Sequence, residues 1–209
     1  MMRGGGQAIP GISRSQSGAS GTSRRYLTGA SMSVLDRTSG IDHIGLTVRD
    51  IGQAQDFLIR GLGAEFLYET LSASSAPLQG PQVEQLVRLP PGARINVIRM
   101  YRLGCGPGIE LFQYTADDQH PAARGCDLGW QHVALYVDDI EAAARRAVAA
   151  GAEKLNTPWN LMGAEGGAGN CFCFLSMPMG GLLELITYPS TQPYEATTRL
   201  RRWKPPLSE

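Results

Sequence analysis

The sequence predicts an α+β fold of two tandem βαβββ modules, forming a cupped mixed β-sheet with flanking helices. Three observations predict it. The segment IDHIGLTVRDIGQAQDFLIRGLGAEFL, starting at Ile41, returns at Trp130 as WQHVALYVDDIEAAARRAVAAGAEKL. Each copy passes from a branched apolar run into a helical pattern closed by glycine. Each half then ends on a strand pattern with one central carboxylate, residues 109–114 and 183–188. The copies are offset by 89 residues at His43 and His132, and by 88 at Gly63 and Gly151. So many matches in order, across a single slip, mark an internal repeat, and a repeat settles architecture before local pattern does.

The elements follow in chain order. His43–Val48 is apolar and branched with period two, which predicts a strand. Asp50 and Asp139 are N-cap candidates, with Glu141 in the first turn of the second helix. Ala54, Phe57, Leu58 and Leu62 recur at helical spacing, as do Ala143, Ala147 and Ala150. Gly63 and Gly151 suit helix C-termini. Strand-like runs then cover residues 64–68, 84–89, 95–102 and 108–114 in the first half. They cover 152–155, 171–176 and 182–188 in the second. A glycine-rich hairpin precedes each last strand, at residues 104–108 and 179–181. One run of the first half is surplus to a βαβββ plan. Residues 156–170 form a Gly-rich segment with one Trp, either a lid or a plain hairpin loop.

Composition narrows the function. Lys plus Arg and Asp plus Glu both number 19, so the chain is neutral. It carries no electrostatic footprint for nucleic acid or an anionic membrane. No apolar run approaches the roughly 18 residues of a membrane helix. The four cysteines lack paired metal-ligand spacing. Cys171 and Cys173 share one strand face, too close along it for an ordinary disulfide. Reduced thiols point to the cytoplasm.

Four polar residues are placed symmetrically. His43 and His132 hold the same position in the first strand of each copy. Glu110 and Glu184 hold the same position in the last. If the copies pair about a pseudo-twofold axis, two imidazoles and two carboxylates converge. That donor set suits zinc, iron, nickel, cobalt or manganese. His120 has no counterpart and sits in a polar loop, so a surface position is expected.

The stretches DHIGLTV, IELFQY, QHVALYV and LLELITYP, in a duplicated βαβββ plan, resemble the vicinal oxygen chelate superfamily. It includes glyoxalase I, methylmalonyl-CoA epimerase, epi-valiolone epimerases, extradiol dioxygenases, and fosfomycin- and bleomycin-resistance proteins. The resemblance spans about residues 40–190. It implies one divalent ion in a cup between two modules, held by His43, Glu110, His132 and Glu184, chelating adjacent oxygens of a small-molecule substrate. The ion is Zn, Ni, Co or Mn, or Fe if the chemistry is ring cleavage, and the resemblance leaves room for a homodimer. Glu110 stands where methylmalonyl-CoA epimerases typically carry Gln. It also fills a position that extradiol dioxygenases leave open, which favours redox-neutral chemistry.

The implied reaction is proton transfer beside a metal-chelated carbonyl, by an isomerase, epimerase or lyase of the glyoxalase type. The ion polarises the carbonyl and stabilises the enediolate. Glu184 moves the proton. Glu84, in PQVE, loosely resembles the stretch that supplies a second base in methylmalonyl-CoA epimerase. Arg199, Arg201 and Arg202 of the C-terminal segment are candidates to meet an anionic substrate. Two other readings stand beside this one: an extradiol-type ring-cleaving dioxygenase, and a non-catalytic small-molecule (drug) binding protein of the same fold.

The chain divides into a tail, residues 1–39, a domain, 40–190, and a C-terminal extension, 191–209. The domain's modules span 40–115 and 128–190. The tail is rich in Gly, Ser and Arg without apolar periodicity, and such a composition cannot offset its own ordering entropy. Its Ser23-Arg24-Arg25 run lacks the apolar stretch of an export signal. A chain beginning at Ser39 should therefore keep the melting temperature and metal content of the full-length protein. A loss of several degrees in a thermal melt would show that the tail packs on the domain.

Overall fold

The computed structural model describes residues 38–206. The expectations for the tail fall almost wholly outside the described residues. Ile41 onward forms one compact unit.

The first module opens with β1 (His43–Val48), α1 (Ile51–Asp56) and β2 (Glu65–Leu71). It continues through β3 (Leu78–Gln79), α2 (Pro81–Val87), β4 (Arg94–Arg102) and β5 (Gly108–Thr115). The second has β6 (His132–Tyr136), α3 (Ile140–Ala149), β7 (Glu153–Lys154), β8 (Trp159–Asn160), β9 (Cys171–Ser176) and β10 (Leu182–Thr187). The sheets run β1-β5-β4-β2 and β6-β10-β9-β7, with β3 added on β4 and β8 on β9. In each sheet the first and last strands pair parallel, β1 with β5 and β6 with β10, and every other pair is antiparallel. The repeat is thus a repeat of topology, and the expected α+β architecture is what forms.

Both crossover helices start and stop as the sequence indicates. Asp50 Oδ1 accepts the Gln53 N–H and Asp139 Oδ1 the Ala142 N–H, each at 2.9 Å. Gly63 and Gly151 take positive φ, 75° and 105°. The next residue then reaches back into the helix, Ala64 N to Leu58 O at 2.9 Å and Ala152 N to Ala147 O at 3.0 Å. A left-handed residue closing a helix this way satisfies carbonyls that would otherwise be orphaned.

The one-residue slip of the repeat has a structural counterpart. After α1 the helix widens into a π turn over Phe57–Gly61. An extra residue in a helix with fixed ends is absorbed by such a bulge. Module 1 therefore reaches its closing glycine one residue later than module 2, with the same strand geometry on either side.

The run at residues 84–89 corrects the strand expectation. It belongs mostly to α2, whose first position is Pro81. Proline is pre-set for a helix start and lacks the N–H a strand needs. Arg88, at φ 53°, ends the helix. This is the surplus run of the first half. The paired strands β3 and β8 have only two residues each, too short to show a period.

One apolar cluster serves both modules. Val48, Ala54, Phe57, Leu58 and Leu111 of the first join Ala143, Ala144, Ala147, Cys173, Leu175, Leu183 and Leu185 of the second. Cys171 packs against the same cluster, so both thiols of β9 face inward, and all four cysteines are free. The helices meet closely at Gly61, where a Cβ would lie 3.1 Å from that of Ala150, and Arg146 Nε donates to Gly61 O at 3.0 Å. Among the described residues no helix is long and apolar enough to cross a membrane.

Because the core is shared, Phe57→Ala and Leu185→Ala should each lower the midpoint of a single cooperative transition. Both side chains are essentially unexposed, and truncations of this kind cost about 2–5 kcal/mol. Two separate transitions in calorimetry, each sensitive to only one substitution, would show instead that the modules fold independently.

Candidate metal centre

Strand alternation gives each sheet two faces. On β1 the residues Ile44, Leu46 and Val48 enter the shared core, so His43, Gly45 and Thr47 lie on the opposite face. On β6, Leu135 and Val137 enter the core, and His132, Ala134 and Tyr136 lie opposite. β5 sends Ile109 and Leu111 inward, and β10 sends Leu183 and Leu185. Glu110 and Glu184 therefore share the open face with the histidines.

The parallel register then sets the pairs. Gly45 lies opposite Glu110 and Ala134 opposite Glu184, with each histidine two residues earlier. The two positions opposite the glutamates carry the smallest side chains, which leaves the carboxylates accessible. His43 Nε2 lies 3.3 Å from a Glu110 carboxylate oxygen, and His132 Nε2 lies 2.9 Å from one of Glu184. Two donors at about 2.1 Å from one ion and at right angles to each other are about 3.0 Å apart, so both pairs fit adjacent coordination positions.

The other ring nitrogen of each histidine is engaged. His43 Nδ1 is 2.7 Å from Asp42 Oδ2, and His132 Nδ1 is 2.8 Å from Gln131 Oε1. An oxygen acceptor there suits the tautomer with its proton on Nδ1, which would leave Nε2 as the nitrogen able to take a metal. Sequence reasoning missed Asp42 and Gln131. The signal was available, since an oxygen-bearing residue precedes the histidine in both copies.

The two pairs differ electrostatically. The hydrogen bond to Asp42 raises the pKa of His43; burial opposes this, and the charges of Glu110 and Asp42 add to it. Burial raises the pKa of Glu184, opposed by His132 and by the Arg202 charge, with Glu165 adding to the rise. Phe174 packs edge-on to the His132 ring at 5.3 Å. The second pair is thus the drier one, with side-chain exposures of 28% and 12% against 40% and 19%.

Each module brings together its own His and Glu. Among the described residues, no group of three or more His, Cys, Asp or Glu gathers at metal-binding range, so the structure presents two pairs. Glu84 stands on α2, where its carboxylate accepts the Gly92 N–H at 2.8 Å. His120 is exposed. Arg201 pairs with Glu195 and Arg202 with Glu165.

Known proteins are similar to this chain in sequence and in fold. Residues 42–174 match the family model described as Glyoxalase/Bleomycin resistance protein/Dioxygenase superfamily. A 2-epi-5-epi-valiolone epimerase from an Actinomyces species is 32% identical over 167 residues, covering 79% of this chain and 88% of that relative. A glyoxalase family protein from Bacillus cereus has a TM-score of 0.57 at 18% identity, covering 75% of this chain and 98% of its own. A mutant of the fosfomycin resistance protein FosX from Listeria monocytogenes was solved with Mn(II) and 1S,2S-dihydroxypropylphosphonic acid. It has a TM-score of 0.50 at 16% identity, covering 78% of this chain and 100% of its own. The two structural likenesses carry the fold, and the sequence matches carry the family: the chain belongs to the glyoxalase/bleomycin resistance protein/dioxygenase superfamily.

Proposed function

We propose that the protein is a divalent-metal-dependent epimerase or isomerase of the glyoxalase type, shifting a proton beside a carbonyl of a small oxygenated substrate. One observation carries the reading. Twice, at matched positions, a histidine held by an oxygen acceptor on Nδ1 offers Nε2 beside a glutamate. The epimerase relative supports the reaction class. FosX, of this fold with Mn(II) bound, supports an ion of the Zn, Ni, Co or Mn group. The four free cysteines favour the cytoplasm.

His43, Glu110, His132 and Glu184 are the residues that would hold the ion. When bound it supplies Lewis-acid polarisation of a substrate carbonyl, which acidifies the neighbouring C–H. Glu184 accepts that proton. Burial raises its pKa, and a carboxylate of raised pKa is the stronger base. Glu84 is the candidate to return a proton from the other face, on release of the Gly92 N–H. Glu110 beside His43 argues against the ring-cleaving alternative. An intact donor set argues against a purely drug-binding role.

Two ligands per module make half a site. In this reading a second copy of the chain completes it, module 1 of one copy meeting module 2 of the other. The half-exposed histidines support this, as do the large apolar side chains left exposed, Leu67, Tyr68, Trp159 and Met162.

Mixing experiments test both the ligands and the assembly. His43→Ala and His132→Ala should each lose stoichiometric metal in elemental analysis while remaining folded. Mixed after dissociation, the two variants should regain about one ion per heterodimer, since one intact site combines the wild-type halves. Full metal retention in a chain carrying both His43→Ala and His132→Ala sinks the ligand assignment, and no recovery on mixing sinks the shared site.

The chemistry has its own check. With a hydroxyketone or cyclitol substrate, the hydrogen beside the carbonyl should exchange with deuterated water without oxygen uptake. Glu184→Gln should slow exchange by about 100-fold or more with a smaller effect on substrate binding. Glu84→Gln should stop inversion while exchange persists; a variant that inverts at full rate removes Glu84 from the mechanism. Catechol cleavage with stoichiometric oxygen uptake, surviving Glu110→Ala, would replace the reading with the dioxygenase one.

A further inference from the structure

The C-terminal segment builds a cavity that the proton-transfer reading does not use. It has a volume of about 220 Å³ and is lined by Tyr188, Tyr194, Gln192 and Glu195 together with three cations, Arg201, Arg202 and Lys204. Its walls are fixed from within. Gln192 is 1% exposed; its Nε2 donates to Glu165 O at 3.3 Å, and its N–H to Glu195 Oε1 at 3.1 Å. The Tyr188 hydroxyl donates to Trp203 O, and the Tyr194 oxygen accepts the Arg202 N–H at 2.8 Å. Two tyrosines therefore anchor the backbone that carries the cations.

The charges are not balanced. Arg201 is paired with Glu195 at 3.1 Å and Arg202 with Glu165. Lys204 has no carboxylate partner among the described residues. Its Nζ and the Arg202 guanidinium both stand over the Tyr188 ring, 5.2 and 4.8 Å from its centroid. Gathering like charges around one concavity costs energy that an anion relieves.

The cavity lies on the same sheet face of module 2 as the His132–Glu184 pair. Glu184, Ile186 and Tyr188 follow at strand spacing, as do His132, Ala134 and Tyr136, and Tyr188 meets Tyr136 edge-on at 4.9 Å. Four strand residues span about 13 Å. The His132–Glu184 pair and the cavity thus lie on one sheet face, with the buried cluster of Leu161, Ile186 and Tyr188 between them.

We propose that this cavity is an anion subsite, in which Lys204 and Arg202 take a phosphate or carboxylate group carried by the substrate whose carbonyl end meets the His132–Glu184 pair. The inference rests on the metal-site reading above and adds a substrate class, an anionic hydroxyketone or polyol. The C-terminal extension then sets specificity, while the repeated modules set the reaction.

Calorimetric titration of the full-length, metal-stripped protein with inorganic phosphate tests the subsite without the metal. One saturable site is expected. Lys204→Gln should weaken it about tenfold, the scale of one lost charge-assisted hydrogen bond, and Lys204→Arg should restore it. The exposed position of Lys204 predicts unchanged melting temperatures for both. No saturable binding, or equal affinity in Lys204→Gln, overturns the proposal. A second arm separates free from substrate-borne anion. In Mn²⁺-loaded protein, fructose 6-phosphate should bind more tightly than inorganic phosphate, and removing the metal should erase the gain. Phosphate binding without that gain, in protein that does hold the ion, makes this a free-anion site and overturns the substrate class. Phosphate binding in protein that takes up no metal counts against the metal-site reading alone.

Discussion

The parallel pairing of each module's first strand with its last is the constraint on which the site depends. A parallel pair of strands needs a crossover, and α1 and α3 are the first steps of those crossovers. The register sets Gly45 against Glu110 and Ala134 against Glu184. A slip of one residue would turn every side chain to the other face. His43 and His132 would enter the apolar core, and Ile44 and Val133 would meet solvent. The core residues Leu46, Val48, Leu111, Leu183 and Leu185 therefore hold the polar pairs in place as firmly as they hold the fold. The helix caps serve the same end, since a crossover of fixed length delivers the chain to the next strand in register.

Much of this was legible in the sequence because it is periodic and duplicated. The bounds of β1 and β9 coincide with their apolar runs, and both capping aspartates and both closing glycines act as read. The slip from 89 to 88 residues was visible but unexplained until the π turn at Phe57–Gly61 gave it a place. Residues 84–89 misled because Val83, Leu86, Val87 and Leu89 suit a strand by composition, and Pro81 outweighs them as a helix start. The ligand candidates were legible as symmetric pairs. The expected gathering of all four is not seen among the described residues, because a sequence repeat fixes each module's interior and says nothing of what sits opposite its open face.

What the sequence hid is mostly long-range polar bonding. Asn170 is fully buried. Its amide donates to Glu165 O at 3.1 Å, and its oxygen accepts the Ser190 N–H at 3.0 Å. These bonds close the Gly-rich segment 156–170 onto the residues after β10, where Glu165 also meets Arg202. A buried amide without partners would be costly, so Asn170 requires this segment to be closed. Seen as sequence, it is one polar residue in a glycine loop. The C-terminal arginines are held in a way their sequence does not reveal. Arg201 pairs with Glu195 and bonds backbone carbonyls, and Arg202 pairs with Glu165 while its N–H meets the Tyr194 oxygen.

The two pairs are equal by topology and unequal by surroundings. Around His43 the governing contact is a charged one, from Asp42, and the pair is the more exposed. Around His132 the acceptor is the neutral amide of Gln131, Phe174 covers the ring, and burial raises the pKa of Glu184. In the proposed chemistry Glu184 is the base, and the drier half is where burial raises a carboxylate's pKa and makes it the stronger one. Gene duplication supplies two copies of one ligand pair. The flanking residues that differ between the copies, Asp42 against Gln131 and Met100 against Phe174 across from each glutamate, give two topologically equal pairs unequal surroundings, the asymmetry that the proposed division into a holding pair and a base needs.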